Sequence, residues 1–134
     1  MDGREVGAIP DGGLLVLVAI AATDGPEEIA WMAAKIAQTR IFADESGKMN
    51  RSLLEAGRGA LLVSQFTLYA DVRKGRRPSF VGAAPGDVAS PRFERLVEAV
   101  RAQGVHPVAT GVFGADMQVS LCNDGPVTLV LDTP

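Results

Sequence analysis

Only one cysteine, Cys122, and one histidine, His106, occur in the 134 residues. A lone thiol excludes an internal disulfide framework, and one thiol with one imidazole excludes a zinc cluster. A reducing, cytoplasmic location is the expectation. Long apolar runs are missing too. Leu14–Ala22 is too short to span a bilayer, and the residues ahead of it carry Asp2, Glu5 and Asp11 against Arg4 alone. That segment therefore lacks the positive start of a secretory leader. Nor is there an excess of positive charge: 13 basic residues face 16 acidic ones, for a formal net charge of −3. This balance excludes a generic nucleic-acid coat but leaves room for one local basic contact. Nucleotide-binding loops are absent, since no Gly-x-Gly-x-x-Gly occurs and Gly47-Lys48 lacks both the upstream glycine and the following hydroxyl residue of a phosphate-binding loop. No cofactor and no metal are expected.

With 47% apolar and 22% charged residues, the composition fits one globular domain over residues 1–134. Glu5–Ile9 and Leu14–Ala21 read as strands joined at Pro10-Asp11-Gly12-Gly13. Asp24, with Glu27 three residues on, reads as the start of a helix whose buried stripe is Ile29, Met32, Ala33 and Ile36. Asp44–Gly47 is a turn, and Ala60–Phe66 is an apolar strand covered on both faces. Residues 70 to 90 read as a long functional loop. Ser90-Pro91 opens a second helix with Phe93, Leu96, Val97 and Val100 on one face and Gly104 as its stop. Strands Met117–Leu121 and Val127–Leu131 close the chain. Two main helices interleaved with strand-to-strand links imply an α/β domain with a mixed sheet.

Four stretches and two single residues are candidates for chemistry. In Asn123-Asp124-Gly125-Pro126-Val127-Thr128, Pro126 removes a backbone donor where a hairpin strand should begin to pair. Taken alone, these six residues favour an ordinary trans-proline turn. Ser64-Gln65-Phe66-Thr67-Leu68 places hydrogen-bonding side chains at the end of the apolar strand Leu61–Val63, either as a site or as a strand leaving the core. Arg73, Lys74, Arg76 and Arg77 concentrate four cations on an acidic chain, which suits phosphate oxygens or a solvated loop. Phe113-Gly114-Ala115-Asp116-Met117 suits core packing or the wall of a snug apolar pocket. His106, with no nucleophile placed beside it by sequence, reads as a surface or packing residue, and Cys122 as an inert packing residue in a strand.

Together these stretches resemble the D-aminoacyl-tRNA deacylases. The two signatures Ser-Gln-Phe-Thr-Leu and Asn-x-Gly-Pro-x-Thr stand intact at Ser64–Leu68 and Asn123–Thr128. Arg40-Ile41-Phe42, Gly47-Lys48-Met49-Asn50, Arg77-Pro78-Ser79-Phe80 and Phe113–Met117 follow the family in order. The resemblance implies a mostly antiparallel, barrel-like sheet and hydrolysis of the ester between a D-amino acid and the terminal adenosine of tRNA. Glycyl-tRNA is a further candidate substrate, because glycine is achiral. It also implies a homodimer in which a cis Gly125–Pro126 bond crosses into the partner's site, its carbonyls excluding L side chains. Ser64, Gln65, Phe66 and Thr67 are then the catalytic set, with backbone donors at Phe66 and Thr67 for an oxyanion and Thr67 as a competing nucleophile. Asn123, Gly125, Pro126, Thr128, Phe113, Ala115 and Met117 are the substrate-binding set. Arg73, Lys74, Arg76 and Arg77 are expected to meet tRNA phosphates, on charge alone. The family opens with a strand bearing a Gln-Arg-Val run ahead of the point where Asp2 aligns. That difference keeps open an alternative, a silent module that binds aminoacyl-tRNA or adenosine without hydrolysis.

Overall fold

The structure is a computed structural model that describes residues 3–134; Met1 and Asp2, where the family alignment begins, lie outside the described residues. Three strands form the main sheet, in the order β1 (Gly13–Val18), β4 (Gly59–Ser64), β5 (Val108–Thr110). Helix α1 (Pro26–Gln38) lies between β1 and β4 in the chain, and helix α3 (Gly86–Ala102) between β4 and β5. A helical crossover returns the chain to the same end of the sheet, so both pairings are parallel. Two short strands, β2 (Phe42–Ala43) and β3 (Met49–Arg51), and a single helical turn, α2 (Leu53–Ala56), fill the rest of the first crossover.

The period of two along β1 and β4 sorts their side chains. Leu14, Val16 and Val18 of β1, with Ala60 and Leu62 of β4, face the helices. The expected stripes meet them there: Ile29, Ala33 and Ile36 of α1, with Met32 at its margin, and Phe93, Leu96, Val97 and Val100 of α3. Gly59 is required where β4 begins. A side-chain carbon there would lie 2.6 Å from the carbonyl oxygen of Pro107, too close for β4 and β5 to pair.

The sheet face away from the helices is left open. Leu15, Leu17 and Leu61, with the buried Val63, are among the residues lining a cleft of about 2250 Å³, which the C-terminal stretch from Asp116 to Thr133 also lines. Apolar side chains on that stretch stay in solvent, with Leu121 60% and Leu129 51% exposed.

Several expectations are corrected. The sheet is mixed, but its larger part is parallel, and antiparallel pairing among the described residues is confined to β2–β3 and a bridge between Asp71 and Ser79. Among the described residues the strands do not close into a barrel. Glu5–Ile9, Met117–Leu121 and Val127–Leu131 form no ladder among the described residues, although Gly7 lies against the backbone of Thr110 in β5. Asp24 does not cap α1; its carboxylate accepts from the N–H of Ala21 (2.8 Å), Gly25 is the cap, and Pro26 takes the first helical position, where no donor is needed. Helix α3 starts at Gly86 rather than Ser90, since the carbonyl of Pro85 already accepts from Val88 and Ala89, and Pro91 sits inside it. The Ser52/Glu55 capping box starts α2, a signal written in the sequence as Ser-x-x-Glu. Cys122 is exposed and outside any strand. Among the described residues no helix is long and apolar enough to cross a membrane.

Candidate active site

Strand β4 delivers its polar end to the surface. Ser64 is the last paired residue, opposite Val18, and the N–H of Gln65 extends the pairing by donating to the carbonyl of Val18 at 2.7 Å. The chain then winds into a 3-10 turn, Phe66–Tyr69. The first positions of such a turn have no intrahelical acceptor, so the N–H groups of Phe66 and Thr67 stand free of it at the strand end. Ser64 and Gln65 are half-buried, whereas Phe66 and Thr67 are exposed. The side-chain amide of Gln65 donates to the Thr67 hydroxyl oxygen, so that oxygen is already an acceptor. No imidazole or amine is hydrogen-bonded to Thr67 among the described residues. Phe66 is held from the other side by the ring of Phe80, edge-on at 5.0 Å.

The second signature is a self-contained turn. Pro126 has no N–H, so the next backbone donor is Val127, and the Asn123 side-chain oxygen accepts from it at 3.4 Å. The Asn123 amide donates to the Thr128 hydroxyl at 3.0 Å. Asn123 and Thr128 thus clasp the loop at both ends, which is why the motif needs those two residues five positions apart. The Gly125–Pro126 peptide is cis, as the resemblance implies, and so is His106–Pro107, which the sequence reading did not anticipate. Among the described residues neither the Gly125 nor the Pro126 carbonyl accepts a hydrogen bond. The two signatures share no hydrogen bond within one chain, although Asn123, Gly125 and Thr128 line the same cleft as Leu68 and Tyr69.

The pocket-wall stretch is placed by packing. Phe113 rests on buried Phe93 at 6.2 Å. The Met117 sulfur accepts from the N–H of Val112 at 3.3 Å and folds against Gly111, where a side-chain carbon would lie 2.6 Å from it. Met117 therefore turns toward Val63 and the cleft. Ala115 is half-buried and its N–H donates to the carbonyl of Val112. Tyr69 was not singled out by sequence. It lines the cleft, and burial, then Asp24 and Asp132, push its phenol above the ordinary 10.0, so it stays a neutral donor at physiological pH.

A family model described as D-Tyr-tRNA(Tyr) deacylase matches residues 1–132. The chain belongs to this family. Among relatives called D-aminoacyl-tRNA deacylase, it is 58% identical to one from Chloroflexus aurantiacus over 131 residues, covering 98% of this chain and 81% of the relative. It is 57% identical to one from Thermus aquaticus, covering 98% and 85%. Among solved structures, one described as c-Myc DNA Unwinding Element Binding Protein shares 40% identity at a TM-score of 0.84, covering 91% of this chain and 83% of that one. A probable eukaryotic D-amino acid tRNA deacylase shares the fold at a TM-score of 0.66 and 20% identity, covering 78% and 76%.

Proposed function

We propose that the chain hydrolyses the ester bond of D-aminoacyl-tRNA, releasing the D-amino acid and free tRNA in the cytoplasm, with glycyl-tRNA as a further substrate. The observation that carries this reading is the pair of free N–H groups at Phe66 and Thr67, set at the end of β4 inside an intact family signature. An aminoacyl ester is already activated, so the chemistry asks mainly for an oxyanion held in place, worth about 3–4 kcal/mol per good donor. Thr67 is a poor nucleophile here, because Gln65 donates to its oxygen and no base is hydrogen-bonded to its hydroxyl among the described residues. Water, positioned with help from the terminal ribose, is the attacking group. Ser64 and Gln65 orient the adenosine or that water.

Chiral selection is assigned to the Gly125–Pro126 carbonyls, presented to the site of a second copy. Their lack of partners among the described residues and the exposed Leu121 and Leu129 support a homodimer in which the clasped loop crosses over. Light scattering should then give twice the 14.0 kDa chain mass; a 14.0 kDa particle that still rejects L-esters would remove the crossover. Phe113, Ala115 and Met117 form the wall against which the aminoacyl group lies.

The test is hydrolysis of D-Tyr-tRNA against L-Tyr-tRNA. D-ester cleavage alone is expected, and failure to cleave the D-ester would favour a silent binding module. In the same assay Thr67→Val, which keeps shape and removes the hydroxyl, should lower kcat less than about 10²-fold, the low end for a side chain that transfers a proton in the transition state. Near-complete loss would restore Thr67 as nucleophile.

A further inference from the structure

The four cations that follow the strand-end turn are not equivalent in space. Residues 71 to 79 form a closed loop: Asp71 and Ser79 exchange backbone hydrogen bonds at 2.7 and 2.8 Å across its base. Inside it, Arg73 folds back on Asp71. The Asp71 carboxylate accepts from the Arg73 backbone N–H at 3.0 Å, from its Nε at 2.9 Å and from Nη2 at 2.7 Å. This pairing holds the Asp71 carboxyl below its ordinary 3.8, so the clasp persists above that pH and is lost only as pH falls through the lowered value. Lys74, Arg76 and Arg77 differ. Each is exposed, and among the described residues none of them forms an ion pair. Gly75, at φ +67°, makes the bend between them.

Both ends of this loop are tied to the candidate active site. Ala70, just ahead of it, donates to the carbonyl of Thr67 at 3.0 Å, and Phe80, just after it, packs on Phe66. The cations therefore sit at a set distance from the free N–H groups. Electrostatics supplies a reason for the arrangement. A chain of net charge −3 repels a polyanion at long range, so an RNA substrate needs a local positive contact to dock.

We infer that Lys74, Arg76 and Arg77 bind backbone phosphates of the tRNA, while Arg73 is a positioning residue that, through Asp71, holds the loop in register with the Phe66–Thr67 turn. This rests on the reading of the site as one that acts on aminoacyl-tRNA. Phosphate contacts position without reading sequence, so the loop contributes affinity common to many tRNAs.

The test is binding of uncharged tRNA by fluorescence anisotropy as a function of salt, with D-Tyr-tRNA hydrolysis by the unmodified protein measured in parallel. Each phosphate contact contributes about 0.7–0.9 to the slope of log affinity against log salt. The triple substitution Lys74→Gln, Arg76→Gln, Arg77→Gln should therefore flatten that slope by roughly 2–3. Arg73→Gln should change it by less than about 0.5, short of one contact. An unchanged slope in the triple variant, with hydrolysis intact, would overturn the inference alone. A slope loss for Arg73→Gln as large as that of a single contact would overturn the division of labour. A flattened slope in the triple variant without any ester cleavage by the unmodified protein would uphold the loop and defeat the catalytic reading.

Discussion

Replacing Phe66 by proline should lower kcat on D-Tyr-tRNA by about 10²–10³-fold, the loss typical of removing one oxyanion donor. The substitution deletes a single N–H at a place where proline fits. Phe66 opens the 3-10 turn, so no intrahelical bond is lost, and Gln65 before it, at φ −142° and ψ 80°, lies outside the helical region that a following proline disfavours. The ring's contact with Phe80 is lost as well, so Phe66→Leu is the needed comparison: it removes the aromatic pair but keeps the N–H, and should cost less than about tenfold, since an aromatic pair adds only about 0.5–1.5 kcal/mol. Equal losses in the two variants, with folding intact by circular dichroism, would mean that the ring and not the backbone donor supports the reaction.

The second large effect is on stability. Leu62 is fully buried at the middle of β4, between β1 and β5 and beneath both long helices. Leu62→Ala should cost about 2–5 kcal/mol in chemical denaturation, the transfer and cavity cost of truncating a core leucine. Most domains have only about 5–15 kcal/mol to lose, so the variant should sit near its threshold and lose hydrolysis on mild warming. Leu15→Ala, on the open cleft face, is the informative contrast. A cost near that of Leu62→Ala would mean the cleft is filled in solution, as a dimer closing over it would do.

The stripes of α1 and α3 could be read from Ile29 to Ile36 and from Phe93 to Val100, because period 3.6 is written locally and each residue reports its own face. The strand β4 was equally plain as a short apolar run. Its parallel pairing was not, since strand direction depends on the helices that connect it to β1 and β5. The alternating runs at Met117–Leu121 and Val127–Leu131 promised a ladder that one chain does not form. Alternation reports which side chains seek cover, and says nothing of whose backbone supplies the partner. Helix α1 shows the same limit at small scale: Asp24 has the right chemistry for a cap, but the Ala21 N–H lay closer.

At the site, two signatures and a basic run were legible as residue types in order, and their order along the chain placed the protein in its family. The single cysteine also excluded an internal disulfide. What had to come from three dimensions is which groups are occupied. Asp71 pairs with Arg73 and leaves three cations without an ion pair among the described residues, Gln65 engages the Thr67 oxygen, and Asn123 reaches across to Thr128 while the Gly125 and Pro126 carbonyls stay unbonded. Composition and spacing set the supply of donors, acceptors and charges. Hydrogen bonds act over about 3 Å and are saturated by the nearest partner, so only the folded positions decide which of those groups remain free for substrate.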